Sequence, residues 1–213
     1  MEAVGYIQNV QQGVVTVVVP NIDKDYLIEH REITEVGVKF PDGRTITADQ
    51  RKKIYATLRD ISENSGYSPD ETKAIMKYEY IAKTGNPYFS LSNTDVTTAN
   101  MFLDFLVEWF VEHGYHSDDD KFYRRAPNIG KYIYACLVYK KCCICGIHEV
   151  DLHHVDVIGS ASRKTTEHIG RRAMALCRIH HDECRDIGQD SFDKRYSVFG
   201  IKIDKSIARI YNL

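Results

Sequence analysis

The stretch Cys142-Cys143-Ile144-Cys145-Gly146, answered with 31 residues intervening after Cys145 by Cys177-Arg178-Ile179-His180-His181-Asp182-Glu183-Cys184, decides how the last third of the chain folds. Cys142 and Cys145 form a C-x2-C knuckle. Two thiolates at that spacing grip one tetrahedral ion, and Gly146 eases the tight turn beneath it. Cys143 cannot start a second pair, because the residue three positions on is Gly146. Cys177 and His180 supply a C-x2-H half, so the whole pattern, C-x2-C-x31-C-x2-H, predicts a structural Zn2+ held by Cys142, Cys145, Cys177 and His180. Cys184, one helical turn after His180, is the alternative fourth ligand. Cys136 and Cys143 are expected to be buried thiols.

Composition outside that stretch agrees with it. The chain has 213 residues, 43% apolar and 27% charged, close to the average for folded domains, which disfavours disorder, collagen-like repeats and pure coiled coil. Its net charge of −2 hides an asymmetry: residues 1–131 carry a net of −5 and residues 132–213 a net of +3. All six cysteines and six of the nine histidines fall between Cys136 and Cys184. In a reducing compartment such crowding reads as metal ligands rather than disulfides. No apolar run reaches the roughly 20 residues that span a bilayer, and the opening MEAVGYIQNV is no secretory leader, so a cytoplasmic protein with no membrane partner is expected.

Towards the N-terminus the pattern changes. Val14 to Val19 is a β-branched run, and Val36, Val38 and Phe40 alternate up to the turn at Pro41-Asp42-Gly43, so the first 47 residues predict strands. Thr47 with Gln50 makes a capping box opening a helix that carries Ile54, Leu58 and Ile61 and ends at Gly66. Ser68-Pro69-Asp70-Glu71 opens a second helix, with Ile75, Tyr78 and Ala82 on one face and Gly85-Asn86-Pro87 as its stop. A third, from Thr97 to His113, carries Phe102, Phe105, Leu106, Trp109 and Phe110, with Gly114 just past its end. The fold class is therefore α+β: N-terminal strands and three helices in residues 1–115, a linker at 116–131, and a small zinc-stabilised domain at 132–213.

The texts CCICG at 142–146, DLHHV at 151–155 and ALCRIHHDEC at 175–184 resemble the HNH (His-Me finger, ββα-metal) endonuclease family, over about residues 138–200. The resemblance implies a metal-dependent nuclease acting on DNA phosphodiester bonds. His154 matches the general base that activates water, a task suited to an imidazole with a pKa of about 6.5. His153 and His181 match the residues that hold a catalytic Mg2+ or Mn2+, and His168 lies where a residue that orients the base is found. Many zinc-anchored members carry a further His at the position of Arg185, which here is a candidate phosphate contact. Lys140, Lys141, Arg163, Lys164, Arg171, Arg172 and Arg178 flank the centre as candidate contacts to a DNA backbone.

GRTITADQRKKIYATLRDIS at 43–62, GYSPDETKAIMKYEY at 66–80 and the apolar helix that follows resemble the lambdoid-phage Orf recombination-mediator family, over about residues 30–115. This resemblance implies a phage protein working in a bacterial host as a homodimer. Its DNA would be single-stranded, tailed or branched, and its protein partners a single-strand-binding protein and a recombinase. Arg51, Lys52 and Lys53 are the candidate phosphate contacts of that half. The alternative is a recombination mediator that binds DNA through both halves without cleaving it.

Overall fold

A computed structural model describes residues 6–19, 43–156 and 168–213. Tyr6–Gln11 (β1) and Val14–Val18 (β2) pair antiparallel about a tight turn in which Gln12 and Gly13 both take positive φ. This hairpin belongs to a compact unit of its own, residues 1–40. The alternating Val36, Val38 and Phe40 and most of the turn after them fall outside the described residues. Residues 41–213 form the second unit.

That unit opens on helices whose ends follow their capping residues. In Ala48–Ser65 (α1), Thr47 Oγ1 accepts from the Gln50 amide and the Gln50 side chain returns the bond, while Gly66 closes the helix in the left-handed region. Pro69–Thr84 (α2) repeats the device with Ser68, Glu71 and Gly85. Val96–Glu112 (α3) is capped by Asp95, whose carboxylate accepts from the Thr98 amide. The buried face of α2 differs from the expected one. Tyr78 is exposed, and Thr72, Met76, Lys77 and Tyr80 face inwards instead. The cause is an aromatic cluster: the Tyr80 ring meets Phe89, Phe102 and Phe105 edge-on, with centroids 5.4–5.6 Å apart. Edge-to-face packing of that kind favours turning the larger ring into the core.

Within residues 116–131, expected as a linker, part of the chain is buried. A 3-10 turn, Phe122–Arg125, buries Phe122, Tyr123 and Arg125, and the Arg125 guanidinium meets the buried Asp60 of α1 at 2.9 Å. Ile129–Val138 (α4) then lies against α3 on one side and the sheet on the other.

The rest is a ββα element with additions. Val150–His154 (β3) pairs antiparallel with Arg172–Cys177 (β4), placing His153 opposite Met174 and His154 opposite Ala173. A short strand, Ile201–Lys202 (β5), extends the sheet in the order β3-β4-β5. Arg178–Ile187 (α5) leaves β4 directly, followed by Gln189–Tyr196 (α6) and Lys205–Ile210 (α7). One buried cluster runs from Ile46 and Ile54 through Phe102, Leu106, Ile133 and Leu137 to Met174, Leu176 and Ile207. The molecule is thus a mixed α/β fold of helices and small antiparallel sheets. Among the described residues no helix is long and apolar enough to cross a membrane.

Candidate active site and metal centre

The knuckle forms as its sequence demands. Gly146 takes φ +72, and its amide donates to the Cys142 carbonyl at 2.8 Å, while the Cys142 amide donates to Ile147. The Cys143 amide donates to Ala175 of β4, tying the knuckle to the strand that ends in Cys177. Cys177 is also the residue from which α5 begins, so His180 turns back over the knuckle. The ligand atoms of Cys142, Cys145, Cys177 and His180 all lie within 4.8 Å of one another, the one such group of Cys, His, Asp or Glu among the described residues. Individual separations are 3.7 Å for Cys145 Sγ to Cys177 Sγ, 3.6 Å for Cys142 Sγ to His180 Nδ1 and 3.1 Å for Cys177 Sγ to His180 Nδ1. Tetrahedral Zn2+ with bonds of about 2.0–2.3 Å calls for edges of about 3.3–3.8 Å; the separations of 3.6 and 3.7 Å match, the 3.1 Å one is slightly short, and the chemistry of three thiols and an imidazole fits the ion. Crowded thiols resist ionising together: the hydrogen bond with Cys145, then burial, pushes the Cys142 thiol up to about 11. A bound dication is what lets several thiolates share so small a space.

Cys184 is not part of this group. Its Sγ lies 3.5 Å from His153 Nε2, and His180 supplies the fourth donor atom of the group. Cys136 and Cys143 are fully buried thiols; burial pushes Cys136 up to about 12 and Cys143 well above its ordinary value.

Adjacent residues on a strand point to opposite sides of it, and the two histidines of β3 have different neighbours accordingly. His153 meets α5: its ring stands at 82° to that of His181, centroids 4.9 Å apart. Burial, then the neighbouring His153 ring, lowers the His181 pKa, which favours the neutral imidazole, and its buried Nδ1 has no hydrogen-bond partner. An orphaned buried nitrogen beside a second imidazole is a fitting place for a divalent cation. His154 meets His168: Nε2 and Nδ1 are 3.0 Å apart, and His168 is 8% exposed. The sequence-chosen histidines are therefore gathered as two pairs, 153 with 181 and 154 with 168. Two further groups, Gln189 Oε1 at 2.8 Å from His153 Nε2 and Asp193 behind it, have no signal in the sequence beyond two polar residues one helical turn apart.

A family model described as "Putative HNHc nuclease" matches residues 19–213. The chain belongs to the HNHc nuclease family. The match takes in the helices α1 to α4 as well as the ββα element, so both lie within the span of one nuclease family. No curated protein and no solved structure matches the chain at a significant level.

The basic candidates are placed unevenly. Lys141 is 2% exposed and its ammonium donates to the Tyr115 carbonyl at 2.6 Å, so it serves the core rather than a DNA surface. Arg51 donates to the carbonyls of Leu91 and Ser92, both at 3.0 Å, as a strut beside α1. Lys53 pairs with Asp49, and Lys52 is exposed. Arg172 holds Asp156 through Nε and Nη2 at 3.0 and 2.8 Å, and this bond depresses the Asp156 carboxyl below its usual range. Arg178 lies near Asp151 and Asp182, and Arg185 near Asp182 and Asp186. Lys140 is exposed and Arg171 half-buried. Arg163 and Lys164 lie outside the described residues.

Proposed function

We propose that this HNHc-family chain is a metal-dependent endonuclease that hydrolyses DNA phosphodiester bonds. The observation that carries the reading is the grouping of His153 with His181 across β3 and α5, beside the His154–His168 pair and backed by the Cys3His cluster. Zn2+ at Cys142, Cys145, Cys177 and His180 holds the ββα element together. His153 and His181 hold Mg2+ or Mn2+, which supplies charge stabilisation at the phosphate and leaving oxygen. His154 takes the proton from the attacking water. His168, its Nδ1 3.0 Å from His154 Nε2, orients the ring. The exposed Arg172, Arg178, Arg185 and Lys140 serve as salt-sensitive backbone contacts, the acidic partners of the arginines exchanging for phosphates on binding.

The recombination setting rests on the resemblance of residues 30–115 alone. It comprises single-stranded, tailed or branched DNA, a homodimer, a single-strand-binding protein and a recombinase as partners, and the cytoplasm of a phage-infected bacterium. A second reading, a DNA-binding module without cleavage, is favoured by Arg185, which faces Asp182 and Asp186 where many members carry another histidine.

The deciding experiment incubates plasmid, tailed and branched DNAs with the protein and Mg2+ or Mn2+. Wild type should cut. His154→Ala should lose roughly 10²-fold or more of the rate, the usual worth of a general base, with DNA retention intact. Cleavage unaltered in His154→Ala removes that residue as base, and no cleavage by wild type on any substrate favours the second reading.

A further inference from the structure

Behind His153 runs a chain of polar side chains that the proposed chemistry does not use. Gln189, the first residue of α6, places Oε1 2.8 Å from His153 Nε2. Its Nε2 donates to Asp193 Oδ1 at 2.7 Å, one turn further along the same helix. Cys184 Sγ stands 3.5 Å from Gln189 Oε1 and donates to it. Phe192, fully buried between Gln189 and Asp193, anchors α6 so that both side chains keep their aim.

These contacts bear on where the His153 proton sits. The two ends of a Gln amide are alike in shape and opposite in hydrogen-bonding role. An ionised carboxylate only accepts, so Asp193 claims the amide NH2 and turns Oε1 towards His153. A carbonyl oxygen only accepts as well, so the 2.8 Å contact favours hydrogen on the His153 nitrogen facing it, over the longer 3.5 Å approach of the Cys184 thiol to the same nitrogen. A neutral imidazole has one protonated nitrogen and one lone pair. We propose that Gln189, aimed by Asp193, is a positioning residue that fixes His153 as its Nε2–H tautomer and so makes Nδ1 the nitrogen offered to a divalent cation. The cation half of this statement rests on the reading of His153 as a ligand; the tautomer half does not. Metal-binding histidines generally donate their second ring N–H to an oxygen that orients them, and an amide oxygen fills that place here.

Two measurements on the purified full chain test this. Long-range 1H–15N correlation without added Mg2+ or Mn2+ reports the tautomer, the His153 signals being assigned by their loss in His153→Ala. Wild type should show Nε2–H, and Gln189→Leu a mixture of tautomers. Titration with Mn2+ should then show affinity falling by roughly 10–100-fold in Gln189→Leu, the usual effect of removing an orienting partner. Gln189→Glu should restore both readouts only when combined with Asp193→Asn, because two facing carboxylates repel whereas the asparagine amide can donate to the new carboxylate, which still accepts the His153 N–H. Bound zinc, measured in each variant, should stay unchanged and reports an intact fold. An Nδ1–H tautomer in wild type overturns the proposal, as does a Gln189→Leu variant with wild-type tautomer and wild-type Mn2+ affinity. Equal Mn2+ binding by wild type and His153→Ala removes His153 as a ligand and the cation half with it, while the correlation spectra still decide the role of Gln189.

Discussion

Arg125 is held by three acceptor contacts inside the protein: Asp60 Oδ2 at 2.9 Å from Nη1, and Asp119 Oδ2 at 3.1 and 3.0 Å from Nε and Nη2. Ser117 completes the set by donating to the same Asp60 oxygen. Removing one member of a buried ion pair strands the other's charge, so Arg125→Ala should cost about 3–5 kcal/mol in urea unfolding of the full chain. A loss under about 1 kcal/mol would mean that water already reaches Asp60. Nothing local announces this pair, because the partner lies 65 residues upstream. Asp118-Asp119-Asp120 and Arg124-Arg125 therefore look like a solvated connector when read in sequence. The Cys3His group is the opposite case. Their spacing is the chemistry, since two donors three residues apart reach one ion whatever surrounds them, and the Cys3His set could be picked out from spacing alone. Gln189 and Asp193 could not, because an amide and a carboxylate one turn apart are commonplace on exposed helices. Only the fold brings His153 to them.

Among the elements, helix starts were the most legible, since a capping box is complete within four residues and needs no partner elsewhere. Which face of a helix turns inward was less so. On α2 the periodicity of Ile75, Tyr78 and Ala82 competes with Met76 and Tyr80, and rings from α3 and Phe89 decide between them. The β3-β4-β5 sheet depends on a glycine in a way that spacing does not disclose. A Cβ at Gly200 would stand 2.5 Å from Val155 Cγ2 and 3.2 Å from Arg172 Cβ, just where β5 closes on β4. Gly200→Ala should therefore destabilise by about 1–3 kcal/mol through overpacking. Val155→Ala in the same chain should recover most of that loss, because the clash is with its methyl. Unchanged thermal stability of the single variant would show that β5 moves aside freely.

For the whole molecule, the metal-ligand group and the buried cluster meet at β4, whose Met174, Ala175 and Leu176 are fully buried and whose end is Cys177. A strong zinc chelator should lower the melting temperature of the full chain and release about one equivalent of zinc. Cys145→Ala should do the same without chelator, because three donors hold the ion less tightly than four. A protein purified free of zinc and indifferent to chelation would contradict the metal centre.

α4 has consequences of its own. It is packed on α3 by one side and on β4 by the other, its first amide groups are capped by Asn128, and the Asn128 amide is itself anchored on Asp104 of α3. The ββα element is therefore not a cassette to be lifted out and grafted onto a foreign carrier. Cutting ahead of α4 would strip its apolar flank bare, and any tilt of α3, from whatever cause, would be transmitted like a lever to the strand that ends at the thiols.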